Sequence, residues 1–131
     1  MNTHAKSVAE ECSKASDDGH LSFPQTLAKL AAAGIEAYYA DLRRGVKVYY
    51  LPDGESIEIA GHRTAAAVAE RFDAAAVETA VRLSQANAHS YEDFRGMIMA
   101  AGCPGYLVSI LGRRVVYFGR TAETHVEHFP S

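Results

Sequence analysis

Between Ala5 and Ala15 the apolar residues Ala5, Val8, Ala9, Cys12 and Ala15 fall three or four apart, which predicts a helix from about Thr3 to Ser16. Asp17-Asp18-Gly19 ends it. Phe23, Leu27, Leu30 and Ala31 repeat the helical period, and Ser22-Phe23-Pro24-Gln25 ahead of them reads as a capped start. Gly34 supplies the stop. The period then drops to two. Tyr38, Ala40 and Leu42 alternate with Tyr39, Asp41 and Arg43, Arg44-Gly45 predicts a tight turn, and Val46, Val48 and Tyr50 are expected to return on the same face. Beyond Pro52-Asp53-Gly54, Ser56-Ile57-Glu58-Ile59 predicts a third short strand. Ala65, Val68, Ala69 and Phe72 share a helical face behind Thr64, which predicts a linker helix over about 64–72. Asp73 caps the next helix, whose inner face is Ala76, Val77, Ala80, Val81 and Ser84.

The remainder reads as a second copy. Ser90-Tyr91-Glu92-Asp93 repeats the cap of Ser22, Phe94, Ile98 and Ala101 lead to a stop at Gly102, and a hairpin spans Gly105 to Gly119. Shifted by 68 residues, Ser22, Ala32, Ala33, Gly34, Tyr38, Val48 and Tyr49 are identical to their counterparts. Chance in so alanine-rich a chain gives roughly two such matches. The expected fold is therefore α+β, an internal duplication of two helix-helix-hairpin units. Its antiparallel sheet is covered by helices on one face. One domain is expected, with units at about 5–60 and 73–129 joined by a connector at about 61–72. Thr124 to Phe129 is the last strand. Matched to Ser56–Ile59 one residue beyond the main shift, it would set Val126 at the inward place of Ile57 and His128 at that of Ile59, within hydrogen-bond reach of a polar side chain.

Composition narrows the function classes. A net charge of −3 and a pI near 6.0 provide no footprint for nucleic acid or an anionic membrane. No uncharged run reaches a membrane span. Cys12 and Cys103 are too isolated for a disulfide framework or a thiolate metal site, and no apolar signal core opens the sequence, so a cytoplasmic protein is expected.

The run from Phe23-Pro24 through Gly34-Ile35-Glu36-Ala37-Tyr38-Tyr39-Ala40-Asp41-Leu42, the hairpin Gly112–Gly119 and the ending His125-Val126-Glu127-His128-Phe129-Pro130 carry a resemblance. Together they resemble the YdfO-like family of small bacterial and prophage proteins of unknown function, some labelled phage envelope proteins. The resemblance covers nearly the whole chain. It implies an α+β domain with an internal duplication and carries over no activity, cofactor or catalytic residue.

Four sets of side chains are candidates for chemistry. His125, Glu127 and His128 have the donor types of a zinc or iron site, but strand periodicity sends His128 to the opposite side, so a metal would need recruits such as His20, His62 or His89. On that spacing an exposed strand is expected and no metal or other cofactor is assigned. Tyr38 and Tyr106 lead a tyrosine set suited to a ligand cleft, although core packing explains most of it. Arg43-Arg44 and Arg113-Arg114 sit at the two hairpin turns and would grip phosphate or carboxylate if the tips converged. Cys103 ends a helix where the dipole disfavours a thiolate. The expected function is a non-catalytic binding or protein-interaction module for a protein partner or small ligand. Its docking surface would be an apolar second sheet face carrying Leu107, Leu111, Val115 and Tyr117, and a homodimer is the simplest partner. The alternative is a small metal-assisted or acid/base enzyme built on His125, Glu127 and His128.

Overall fold

Side-chain caps set where each helix begins. Asn2 accepts from the amide of Ala5 ahead of α1 (Thr3–Asp17), and Asp73 accepts from Ala76 ahead of α3 (Ala74–Gln85). Full capping boxes open the other two: Ser22 with Gln25 before α2 (Phe23–Ala32), and Ser90 with Asp93 before α4 (Tyr91–Ala100). Left-handed glycines follow α2 and α4, with φ of +86° at Gly34 and +87° at Gly102. The computed structural model describes residues 2–61 and 63–129, an α+β fold whose strands are β1 (Ala37–Asp41), β2 (Val46–Tyr50), β3 (Ser56–Ala60), β4 (Gly105–Ser109), β5 (Arg114–Phe118) and β6 (Thr124–His128).

The six strands form one antiparallel sheet in the order β3-β2-β1-β4-β5-β6. Elements α2, β1, β2 and β3 recur 68 residues later as α4, β4, β5 and β6, bound for bound. Left-handed backbone recurs at the same offset: Gly19 with Asn87, Gly34 with Gly102, Gly45 with Arg113 and Gly54 with Ala122. The central strands β1 and β4 pair about Tyr39 and Leu107, themselves 68 apart, so order and register are symmetric about that point.

All four helices lie on one face. Beneath them the inward strand positions Tyr38, Ala40, Tyr49, Ile57, Tyr106, Val108, Val115 and Tyr117 join Leu30, Val77, Phe94, Ile98 and Met99 in a single core. Two expectations about faces are corrected here. Val115 and Tyr117 belong to this core rather than to the second face. On β2 the residues sharing the face of Tyr38 are Lys47 and Tyr49, because Tyr38 sits opposite Tyr49. The four-residue turn between Asp41 and Val46, closed by the Gly45 amide donating to the Asp41 carbonyl at 2.9 Å, sets this parity and sends Val46, Val48 and Tyr50 outward.

The linker helix over 64–72 is not formed. The segment runs without regular structure. Within it the Ala69 amide bonds the Met99 carbonyl of α4 at 2.9 Å, and just past its end the amide of Asp73 bonds the Ala101 carbonyl at 2.8 Å. Alanine favours helix by only tenths of a kcal/mol per residue, which such tertiary bonds override. The register of β6 is also corrected. Val126 pairs with Val116 and points out, while His125 and Glu127 occupy the inward positions that Ile57 and Ile59 hold in β3. His128 is exposed and shares the outer face with Val126, with no hydrogen bond to a polar side chain among the described residues.

Candidate functional site

The inward polar pair on β6 meets α3. His125 Nε2 lies 2.6 Å from Glu127 Oε2, and Arg82 donates to the other carboxylate oxygen at 3.0 Å. Arg82 also faces Glu78, one turn earlier on α3, at 3.6 Å. Glu127 is nearly buried, with 11% of its side chain exposed, and Tyr117 packs its ring against the imidazole. The sequence contained part of this network as the i,i+4 pair Glu78 and Arg82, but only the sheet topology brings that face of α3 to β6.

Glu78, His125 and Glu127 each offer a ligand atom, and all three lie within 4.8 Å of one another. Arg82 already engages both carboxylates, so a divalent ion would compete with a guanidinium for the same oxygens. The histidines considered as recruits are elsewhere in contact terms. His20 is exposed, and His89 stacks on Phe94 and bonds the Ala80 carbonyl. His62 lies outside the described residues.

Tyr38 and Tyr106 are core residues. Each faces a second tyrosine across the strand pair, Tyr49 at 5.2 Å and Tyr117 at 5.3 Å between ring centroids. Burial pushes the phenols of Tyr38 and Tyr106 well above their ordinary range. Tyr91 reaches down from α4 to share a hydrogen bond with the Tyr106 hydroxyl at 2.6 Å. Beside it Arg95, on the same helix, pairs with Asp17 at the end of α1 at 3.7 Å and with Glu92. This buried ion pair ties the first half of the chain to the second, and the sequence did not single it out. Burial also raises the Cys103 thiol, which donates to the Gly105 carbonyl, so it is disfavoured as a nucleophile.

The arginine tips do not converge. Because β1 and β4 are antiparallel, with Asp41 opposite Gly105 and Ala37 opposite Ser109, the two hairpin turns lie at opposite ends of the sheet. They stand about 16 Å apart, one strand length. Arg113 stacks on Phe129. Arg43 instead lines a groove with Arg63 and Arg120, two residues that sequence reasoning missed.

The outer face of the sheet is left uncovered by the helices. Its central row of cross-strand neighbours runs Glu58, Val48, Tyr39, Leu107, Val116, Val126, five uncharged side chains ended by one carboxylate. Leu107 and Val126 are each about 40% exposed, and Tyr39 stacks on Phe118 above Gly105, where a Cβ would come within 2.8 Å of the Tyr39 hydroxyl. Leu107 is the one residue of the expected apolar face that lies on it. Leu111 projects from the turn beyond.

Comparison with known proteins places the chain in a family. The model of the family described as "Protein of unknown function (DUF1398)" matches residues 16–127. The chain belongs to this family. Uncharacterised proteins of Mycobacterium bovis and of Mycobacterium tuberculosis are each 36% identical to the DUF1398 chain over 58 residues. Those residues make up 44% of this chain and 35% of each mycobacterial protein, so the match spans about a third of the length of these curated relatives. The matched family region takes in the end of α1, both hairpins, the connector and β6 through Glu127. Among the described residues no helix is long and apolar enough to cross a membrane.

Proposed function

We propose that this DUF1398 chain is a non-catalytic interaction module whose uncovered sheet face docks a second copy of itself. The observation that carries the reading is the apolar row Val48, Tyr39, Leu107, Val116 and Val126 across five neighbouring strands, on a face where a solvated sheet would alternate to polar residues. Stacked sheets pack with their strands nearly aligned, about 10 Å apart. A two-fold axis parallel to the strands, above the β1–β4 seam, lays Tyr39 on the partner's Leu107 and Val48 on the partner's Val116, with Arg114 over the ring of the partner's Tyr50. No like charges meet. An axis perpendicular to the strands would set Glu58 against the partner's Glu58, and the first arrangement is therefore favoured.

Sedimentation of the full chain tests this. Wild type is expected to be dimeric at roughly 100 µM, above the micromolar constants of weak interfaces, and Leu107→Asp and Val116→Lys to be monomeric with little change in melting temperature. A wild type that remains monomeric at that concentration overturns the reading.

The recurrence of element bounds and left-handed residues at one offset supports the further proposal that the two halves arose by duplication. The rival enzyme reading keeps one observation in its favour, the close His125–Glu127 pair, and has Arg82 against a metal-assisted form of it. Metal analysis of untagged protein separates the two, since stoichiometric zinc or iron would favour the enzyme.

A further inference from the structure

We infer that the groove between the β1–β2 turn and the connector binds a small organic anion, an oxyanion group carried on an apolar body. The groove measures about 640 Å³, within the range of small-molecule sites. Arg43, Arg63 and Arg120 line it, one from the hairpin turn, one from the connector and one from the turn after β5, and no acidic residue does. None of the three has a carboxylate partner among the described residues, whereas Arg44, Arg82 and Arg95 all do. In a chain of net charge −3 this is a local concentration of positive charge, and a concave wall focuses its field. Three planar guanidinium forks suit a phosphate or carboxylate better than water alone.

Two further features belong to the same place. Thr64 is 8% exposed, and its buried hydroxyl has no hydrogen-bond partner among the described residues, which is rare unless an absent group completes it. Thr64 lies on the wall of this groove. Val68 and Met99 add an apolar surface beside the arginines, so a ligand with a hydrocarbon portion gains contact that a bare ion does not. The wall is fixed at both ends: Gly61 donates to the Gly45 carbonyl at 2.8 Å and Ala69 to that of Met99 at 2.9 Å. Gly45 also lets Arg63 approach, since a Cβ there would stand 3.0 Å from the Arg63 backbone. The described part of the connector, from Arg63 on, is thus held as a non-helical strap that carries Arg63 and Thr64 on the groove wall, a task that a helix over 64–72 would not perform.

Isothermal titration of the full chain with hexyl phosphate, hexanoate and 1-hexanol tests the inference independently of the oligomeric state. Saturable binding of hexyl phosphate or hexanoate is expected, with the alcohol roughly tenfold weaker or worse, and the better anion identifies the oxyanion. Arg63→Gln and Arg120→Gln should each weaken the anion roughly tenfold at unchanged melting temperature. Thr64→Val should melt higher without ligand, because it removes an unpartnered hydroxyl, and bind the anion more weakly. Failure of both anions to saturate, or arginine variants that bind like wild type, overturns the site. Unchanged affinity in Thr64→Val does the same, since that hydroxyl is what singles out this groove.

Discussion

Gly34 and Gly102 end equivalent helices with nearly equal φ, yet an added methyl group meets very different surroundings. At Gly34 nothing lies within 4 Å of the ideal Cβ, so Gly34→Ala carries only the left-handed strain, about 1 kcal/mol. At Gly102 the Cβ would stand 2.2 Å from the Arg71 carbonyl oxygen, which is backbone of the connector. Gly102→Ala must displace that strap and is expected to cost ~3 kcal/mol or more in urea unfolding. Equal losses in the two variants would show that the connector yields freely. The tyrosines offer a second test at this scale. Burial raises the phenols of Tyr38, Tyr49, Tyr106 and Tyr117 above the ordinary value of 10.0, chiefly by desolvating the phenolate. The unfolded chain therefore releases these protons first, and stability, fully present below pH 10, falls as pH rises toward the folded values. Four such groups give a slope of about 5 kcal/mol per pH unit. Circular dichroism and phenolate absorbance should change together in one alkaline transition, and early, independent ionisation of these four would contradict their burial.

Strand β6 shows what an element gains and loses by carrying a hydrogen-bonded polar pair where its counterpart β3 carries two isoleucines. At the places of Ile57 and Ile59 it carries His125 and Glu127, and it recruits Arg82 from α3 to satisfy the carboxylate. Buried ion pairs are often no better for stability than apolar residues of similar size. The double variant His125→Ile with Glu127→Ile should thus be as stable as wild type or up to ~1 kcal/mol more so. A loss above ~2 kcal/mol in thermal unfolding would make the pair a structural device instead. The same element shows where sequence reasoning reaches its limit. The caps at Ser22, Asp73 and Ser90, the glycine stops and the existence of every strand were legible, because those residues act on their own neighbours, whereas the cap expected at Thr64 opens no helix. The face on which a strand lands was not, since one residue in a turn reverses it: the turn from Leu42 to Gly45 turned Val48 and Tyr50 outward, and the offset of β6 turned His125 and Glu127 inward. The connector failed for a related reason. Its alanines favour helix locally, but the Ala69 amide is claimed by the Met99 carbonyl, thirty residues away, and that of Asp73 at its end by Ala101. Sites assembled from such distant parts, Arg82 with Glu127 or Arg43 with Arg63 and Arg120, leave no mark on any one stretch of sequence.

At the scale of the whole molecule the two halves meet along β1 and β4, and the symmetric register there makes a prediction about the first half alone. In a chain of residues 2–61, β1 becomes an open edge with unpaired backbone groups, and Tyr38 and Ala40 lose the cover of β4. Such an edge is a template for pairing with another copy. The register centred on Tyr39 and Leu107 allows it, because a second β1 in the place of β4 would set Tyr39 against Tyr39 and Asp41 against Ala37, with no like charges opposed. One contact would be lost. Asp17 is paired with Arg95 in the full chain, its side chain only 9% exposed, and the residue 68 positions before Arg95 is Leu27. The fragment dimer would leave that carboxylate without its guanidinium, a cost of about 3 kcal/mol for each half. The fragment is therefore expected to dimerise weakly. Leu27→Arg should strengthen it by restoring the pair, and Asp17→Gln should do so by supplying what the second half carries at Gln85. Sedimentation and circular dichroism of the three fragments decide the matter. If all three remain unfolded or monomeric, the halves are not interchangeable across the seam, and the symmetry of the sheet reflects its topology without an equivalence of interfaces.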